Sequence, residues 1–234
     1  MRRSILLTLV LLAVVGPEAG AQTAKQPKIQ PGPNEPDWVA ILDGMYGLSL
    51  FGDLQNPVTT TPEATAGLFR KAGPGPVSCT PVLALGLETV TRGGWYRPGP
   101  DPGSRPQVQT LWTYRFKNTA QDIETGANLP PPLLPNAVST FDPGDVPFGL
   151  WVANDQFPED DGIVFTQPQL VAAINRRLAP QPYKAMIYRM KDKASGRVVP
   201  HSFLVSWEYS TNDDFQDVVC RVDNVELVPS REEK

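Results

Sequence analysis

The sequence has little of the chemistry that zinc enzymes and nucleic-acid-binding proteins need. It contains one histidine, His201, and two cysteines, Cys79 and Cys220, which excludes a histidine-rich zinc site and a relay between two histidines. Its 21 basic residues are outnumbered by 25 acidic ones, and no basic stripe is visible. Binding to nucleic acid is therefore not expected, because basic side chains must replace the counterions of the phosphates.

Long apolar runs are absent beyond the first part of the chain. A basic start at residues 2–3 is followed by an apolar run over 5–15 and by small residues at 19–21. This pattern predicts a cleavable signal peptide over 1–21, because the run is shorter than the roughly 20 apolar residues that span a bilayer. We expect a secreted protein, extracellular or periplasmic, with no membrane insertion after cleavage.

Proline and glycine exclude long helices. The 26 prolines and 19 glycines divide the chain into short apolar stretches. Trp112, Tyr114 and Phe116 alternate with polar residues, which is the two-residue period of a half-buried strand. Residues 148–153 have the composition of a strand that is buried on both faces. We predict a mainly β fold, a jelly-roll-like β-sandwich with two short α-helices.

The predicted organisation is a single domain over 37–229. Residues 22–36 are polar and proline-rich and are expected to form a flexible leader, and 230–234 form a polar tail. One amphipathic helix is predicted over 37–47, and a second one is predicted to be capped by Thr166. Further strands are predicted over four stretches, 82–90, 183–190, 198–208 and 217–228.

The two cysteines are candidates for one disulfide. An oxidising compartment permits a bridge between Cys79 and Cys220. Cys220 is in phase with Val218 and Val222, which directs its side chain toward a core, so a bridge would join distant strands across that core. Two buried free thiols fit the sequence equally well. A bridge requires Cα atoms within bonding reach, and the sequence does not show that distance.

The most informative segment is residues 208–217, which we call the C-terminal acidic turn. The alternation that precedes it predicts a strand that ends at Glu208 and another that begins at Asp217. Four carboxylates occur in these ten residues. A divalent cation relieves repulsion among them, and Ca²⁺ accepts about six to eight oxygens in loose geometry. The alternative is a hydrated hairpin tip whose acidic residues cap backbone N–H groups.

The residues around this turn resemble a known family. V-S-W-E at 205–208, followed by N-D-D-F-Q-D-V-V at 212–219, is similar to the C-terminal signature of secreted bacterial domains of the DUF4114 type. Residues 41–47 and 148–152 are similar to a helix and a strand of related exported proteins. The resemblance implies a β-sandwich with an acidic site, in exported, surface-associated or matrix proteins.

The positions that match the family's acidic residues are Glu208, Asp214 and Asp217. With these residues as ligands, a Ca²⁺ site is predicted in the turn. Tyr209 stands where the family usually has Asp, and Gln216 where it usually has Asn, which implies weaker binding than at a full pattern. Asn212 and Asp213 are expected to compensate as further ligands.

A second group of acidic residues lies in residues 155–161, which we call the second acidic loop. Its acidic members are Asp155, Glu159, Asp160 and Asp161. It meets the C-terminal acidic turn only if both lie at one end of the sandwich, which the sequence does not decide. A solvated run of charges is the simpler interpretation.

Two other functions are compatible with the residues. Paired carboxylates hydrolyse glycosidic bonds, and Glu208 with Asp214 or Asp217 would be the pair, although a wet turn does not supply a raised pKa. A lectin-like module would use Trp95 and Tyr96, predicted in an exposed turn, to stack on a sugar. We predict a non-catalytic binding or structural module, stabilised by Ca²⁺, with a cell-surface component, a matrix component or a glycan as its partner.

Overall fold

The computed structural model describes residues 64–228, and this part of the chain is mainly β. The strands are β1 (Leu68–Lys71), β2 (Val77–Leu83), β3 (Val90–Tyr96), β4 (Val108–Arg115), β5 (Thr140–Phe141), β6 (Gly149–Asn154), β7 (Ile163–Phe165), β8 (Ala185–Lys191), β9 (Val198–Trp207), β10 (Val218–Asp223) and β11 (Val225–Val228). The helices are α1 (Ala120–Thr125), α2 (Pro168–Ile174) and a 3-10 helix at Glu159–Gly162.

The strands form a β-sandwich. One sheet has the order β5-β2-β10-β9-β8, and the other has the order β4-β3-β6-β7. Both sheets are antiparallel and contribute to one apolar core, which includes Trp112 from β4 and Trp207 from β9. β1 and β11 form a separate ribbon, which contacts the second sheet through a bridge between Phe69 and Phe148. The mainly β sandwich with two short α-helices, predicted from the sequence, is confirmed.

Most of the predicted strands are present, with shifts of a few residues at their ends. β6 is buried at every position, as predicted for a strand covered on both faces. The single strand predicted over 217–228 is wrong, because Asn224 takes a left-handed conformation (φ 64°) that separates β10 from β11. The strand predicted over 82–90 is also wrong, since residues 84–89 connect β2 to β3.

The two helices differ in how well the sequence predicted them. α2 lies in the predicted place, but Gln167 is its N-cap, and no side chain caps it. The Thr166 hydroxyl instead accepts a hydrogen bond from the Leu150 N–H at 3.2 Å, so the predicted capping role is wrong. α1 was not predicted, although Thr119 and Asp122 form a complete capping box there.

Several predicted segments lie outside the described residues. These are the signal peptide over 1–21, the leader over 22–36, the helix over 37–47 and the tail over 230–234. The predicted domain boundaries at 37 and 229 lie outside them as well. Within residues 64–228, no helix combines the length and the apolar character needed to cross a bilayer.

Candidate metal centre

The C-terminal acidic turn connects β9 to β10 at one end of the five-stranded sheet. Trp207 is opposite Val218 in the ladder, so Glu208 and Asp217 are the first residues beyond the last pair. Each observed strand end therefore lies one residue from the end that the alternation predicted. Because both residues flank this last pair, their side chains begin close to each other.

The second half of the turn is folded into the protein. Asp213 and Phe215 have φ values of 58° and 55°, a left-handed conformation that reverses the chain direction. Phe215 is fully buried in an apolar cluster with Leu83 and Leu85, and the Leu85 N–H donates to the Gln216 carbonyl at 3.2 Å. The hydration expected of a hairpin tip is therefore wrong for this half, although its acidic residues do accept backbone N–H groups, as that alternative expected.

Three carboxylates converge in this turn. One oxygen from each of Glu208, Asp214 and Asp217 lies within 4.8 Å of the other two. The three residues are 0%, 1% and 7% exposed. The structure thus brings together the three positions that the sequence singled out, and it places them away from water.

Glu208 organises the turn by accepting backbone hydrogen bonds. Its Oε1 accepts from the Ser210 N–H at 2.6 Å. Its Oε2 accepts from the N–H groups of Asp214 at 3.0 Å and Phe215 at 3.4 Å. Its own N–H donates to the Lys184 carbonyl at 3.1 Å. A carboxylate with several N–H donors is held in one orientation, so the loop geometry depends on this side chain.

Asp217 and Asp214 are also held by N–H groups. Asp217 Oδ2 accepts from the Tyr209 backbone N–H at 2.9 Å. Asp214 Oδ2 accepts from the side-chain amides of Asn212 and Gln216, the latter at 3.2 Å. Gln216, which departs from the family pattern, therefore supplies an N–H donor to the acidic cluster.

Burial raises the pKa of Asp217 well above its ordinary value. Loss of hydration is the larger cause, and the charges of Glu208 and Asp214 add to it. Three ionised carboxylates at this separation repel one another strongly in a medium that screens charge poorly. A bound proton or a bound cation would each relieve this repulsion.

Two basic residues reach the turn from other parts of the chain. Lys184 Nζ is completely buried and lies 3.0 Å from Asp213 Oδ1, so these two charges compensate each other. Arg177 donates to the Tyr209 carbonyl and interacts electrostatically with Glu208. The Arg177 charge also interacts with Asp161 and Asp217, so one guanidinium is shared among carboxylates of both acidic segments. No sequence pattern pointed to either basic residue.

The two further ligands that were predicted have other partners. Asp213 Oδ1 accepts from Lys184, and the Asn212 amide donates to Asp214 from an exposed position. Among the described acidic, histidine and cysteine residues, only the three converging carboxylates form a group of metal-ligand geometry. In this structure Asp213 therefore neutralises the charge of Lys184 and is not one of the converging carboxylates.

A glycine lets a distant backbone segment lie against the turn. The Gly86 N–H donates to the Asp217 carbonyl at 3.2 Å, and the Leu87 N–H donates to the Tyr209 hydroxyl at 3.1 Å. A Cβ at Gly86 would overlap the Tyr209 hydroxyl and lie 2.9 Å from Asp217 Oδ1. Sequence reasoning missed Gly86, because Leu87 and Tyr209 are 122 residues apart.

The second acidic loop lies at the same end of the sandwich but does not join the cluster. Arg177 donates to the carbonyl groups of both Asp161 and Tyr209, so it bridges the two segments. Asp155 accepts one backbone hydrogen bond at an exposed position, and Asp160 forms a surface ion pair. These carboxylates fit the simpler interpretation, a solvated run of charges.

The prediction that Trp95 and Tyr96 lie in an exposed turn is wrong. Both belong to β3. Tyr96 is fully buried, and its hydroxyl donates to Gln167 Oε1 at 3.0 Å. Trp95 is half-buried, with one face stacked on Phe141 at 5.0 Å between ring centroids and with Arg97 over its ring. Tyr96 cannot stack on a sugar, and Trp95 has little free ring surface.

The geometry does not favour a hydrolase. Retaining glycosidases hold their carboxyl groups about 5–5.5 Å apart across a sugar-binding cleft. Here the separation is compatible with such a pair, but the three residues are at most 7% exposed and do not line an open cleft. His201 is exposed near the start of β9, far along the strand from Glu208, and the neighbouring Ser202 hydroxyl donates to Asp223 at 2.7 Å.

Comparison of the chain with protein-family models, with curated proteins and with solved structures finds no match. The function proposed below therefore depends on the local geometry of the C-terminal acidic turn and on the resemblance noted in its residues.

Proposed function

We propose that this chain is a secreted, non-catalytic β-sandwich module of the DUF4114 type, stabilised by Ca²⁺ at the C-terminal acidic turn. The convergence of three buried carboxylates is the observation that carries the proposal. Their oxygens are the hard ligands that Ca²⁺ prefers, whereas zinc and copper favour the nitrogen and sulfur ligands that this group lacks. The proposed partner is a cell-surface or matrix component, or a glycan, as the resemblance implies.

Ca²⁺ is preferred to Mg²⁺ for a reason of geometry. Mg²⁺ demands near-octahedral coordination and usually keeps several waters, whereas Ca²⁺ accepts irregular sets of carboxylate and carbonyl oxygens. The three residues are at most 7% exposed, which leaves little space for a hydrated ion. Their orientations are set by protein N–H groups, so the cation must adapt to the site.

A shared proton is the competing explanation. The raised pKa of Asp217 means that a proton on this side chain also relieves the repulsion from Glu208 and Asp214. The two explanations differ in their dependence on Ca²⁺. A proton-held cluster gives the same stability with and without the ion, whereas a Ca²⁺ site links stability to Ca²⁺ concentration.

Thermal unfolding of metal-free protein with and without millimolar Ca²⁺ tests the proposal. We expect a higher midpoint with Ca²⁺, since an ion at about 100 times its dissociation constant stabilises the fold by about 2.7 kcal/mol. Asp214→Ala should abolish the rise. Asp160→Ala, the same change in the second acidic loop, is the matched control and should keep it. An unchanged midpoint of the wild-type protein in millimolar Ca²⁺ would contradict the proposal.

A glycan panel tests the alternative of catalysis. We expect no turnover by the wild-type protein. Turnover that Glu208→Gln abolishes, in a variant that still unfolds cooperatively, would replace the proposed function with a carbohydrate-active hydrolase.

A further inference from the structure

The two cysteines of the chain lie side by side in the five-stranded sheet. Cys79 in β2 is opposite Val222, and Cys220 in β10 is opposite Pro81, so the cysteines are diagonal neighbours on one face. Both are buried, and their side chains interact with each other. A bridge between them would therefore join adjacent strands of one sheet, not distant strands across the core as the sequence suggested. In this structure both are free thiols.

We propose that Cys79 and Cys220 are a disulfide site that links β2 to β10 when the protein folds in an oxidising environment. They are the only cysteines of the chain, and the fold brings positions 79 and 220 into contact. Diagonal neighbours in a regular ladder have Cα atoms about 7–8 Å apart, slightly beyond most disulfides. The three pairs from Cys220–Pro81 to Val222–Cys79 are in regular register, and the register shift lies just beyond them, between Val219 and Cys220. Closure of the bond therefore requires a small approach of β2 and β10, and the two cysteine side chains already interact with each other.

The reaction is a thiol–disulfide exchange in which a low-molecular-weight disulfide is the oxidant. One cysteine thiolate attacks the oxidant and forms a mixed disulfide, which releases one thiol. The other cysteine thiolate then attacks the mixed disulfide, and a second thiol leaves. The two cysteines lose two electrons and two protons, and the oxidant is reduced to two thiols.

The timing of this reaction follows from burial. The thiolate is the attacking species, and burial raises the pKa of Cys220 well above its ordinary value, with the neighbouring Cys79 thiol as a further cause. Folded protein should therefore react slowly with the oxidant. The bond should form while β2 and β10 are still pairing, and oxidation during refolding should be much faster than oxidation of folded, reduced protein.

Refolding in a glutathione redox buffer, without Ca²⁺, tests the inference independently of the metal site. The folded fraction is denatured and alkylated without reductant, and the mass of the intact protein is then measured by mass spectrometry. We expect the wild-type protein to gain no alkyl group without reductant and to gain two alkyl groups after reduction. Cys79→Ala and Cys220→Ala should each take up one group without reduction. Two groups on unreduced, correctly folded wild-type protein would overturn the proposal.

Thermal unfolding with and without reductant supplies the second measurement. The bond would close a loop between positions 79 and 220, and loops of this length give large stabilisation through the unfolded state. We expect reductant to lower the wild-type midpoint by on the order of 10 °C. The double variant Cys79→Ala/Cys220→Ala should not respond to reductant. An equal midpoint of oxidised and reduced wild-type protein would count against the site.

Discussion

The C-terminal acidic turn and the second acidic loop each contain four acidic residues within ten residues or fewer. Arg177 bridges the two segments at one end of the sandwich. In the loop, the described carboxylates of Asp155 and Asp160 meet separate partners near the surface. In the turn, three carboxylates converge and are at most 7% exposed. Clustered acidic residues in a sequence therefore do not define a metal site, whereas buried and convergent oxygens are what a cation requires.

The difference between the two segments arises from contacts that only the turn makes. Phe215 anchors it in an apolar cluster, and Glu208 accepts three backbone hydrogen bonds within it. Lys184 pairs with Asp213, which is not one of the three converging carboxylates. The loop has no fully buried aromatic anchor among its described residues, since Phe157 is only partly buried.

Removal of the aromatic anchor should have the largest effect on this contrast. We expect Phe215→Ala to lower the free energy of unfolding by about 3–5 kcal/mol, as for other buried phenylalanines. It should also reduce the stabilisation by Ca²⁺, because the second half of the turn loses the contact that holds it inward. Urea unfolding with and without Ca²⁺ measures both effects. Phe141→Ala in the edge strand β5, a partly buried phenylalanine, is the control. Equal losses of stability and of the Ca²⁺ effect in both variants would contradict the role of Phe215 as an anchor.

A smaller effect is expected where the backbone approaches the turn. Gly86→Ala should cost about 2 kcal/mol, because its Cβ would overlap the buried Tyr209 hydroxyl. Adding Tyr209→Phe removes that hydroxyl and should restore part of the loss. Gly103→Ala is the control, since its Cβ would meet Ala173 Cβ at an ordinary 3.5 Å. If Gly86→Ala and Gly103→Ala unfold at the same urea concentration, the close approach of residue 86 to the Tyr209 hydroxyl does not affect stability.

The smallest of these effects is a dependence on pH. The pKa of Asp217 is raised above its ordinary value of 3.8, so its contribution to stability is complete below about pH 4 and is lost as pH rises through the raised pKa. Metal-free protein should therefore lose stability as pH rises through this window. Ca²⁺ should suppress the loss, because the ion compensates the charge that forms.

Asp217→Asn is the variant that isolates this titration. The amide oxygen can still accept the Tyr209 N–H, but the residue no longer ionises. Without metal, the variant should therefore lose less stability than the wild-type protein between about pH 4 and neutral pH. Chemical unfolding at a series of pH values measures the difference, and parallel curves for the two proteins would exclude Asp217 as its source.

Local patterns predicted the parts of the fold that depend on local order. The alternation before Glu208 and the apolar residues of β6 gave correct strands. The glycines beside Trp95 misled, because they lie inside β3. A Cβ at Gly93 would collide with the Trp112 ring, so this glycine serves close packing and not a turn. Contacts across the sheet decide whether such a glycine lies in a turn or inside a strand, and a single sequence does not show these contacts.

The candidate site was also predicted only in its local part. Its three carboxylates follow from the acidic pattern and the resemblance, but their burial depends on distant residues. Lys184, Arg177 and Gly86 reach the turn from other loops, and nothing in the sequence around them marks them. For this reason the sequence suggested a wet turn, where the structure has a dry one.

Calorimetric titration of metal-free protein with Ca²⁺ at neutral pH tests the central claim most directly. One Ca²⁺ should bind per chain, with release of protons from the acidic cluster, and Asp214→Ala should remove the binding while Asp160→Ala keeps it. Absence of saturable binding by the folded wild-type protein at millimolar Ca²⁺, or unchanged binding by Asp214→Ala, would contradict the assignment of a Ca²⁺ site to the C-terminal acidic turn.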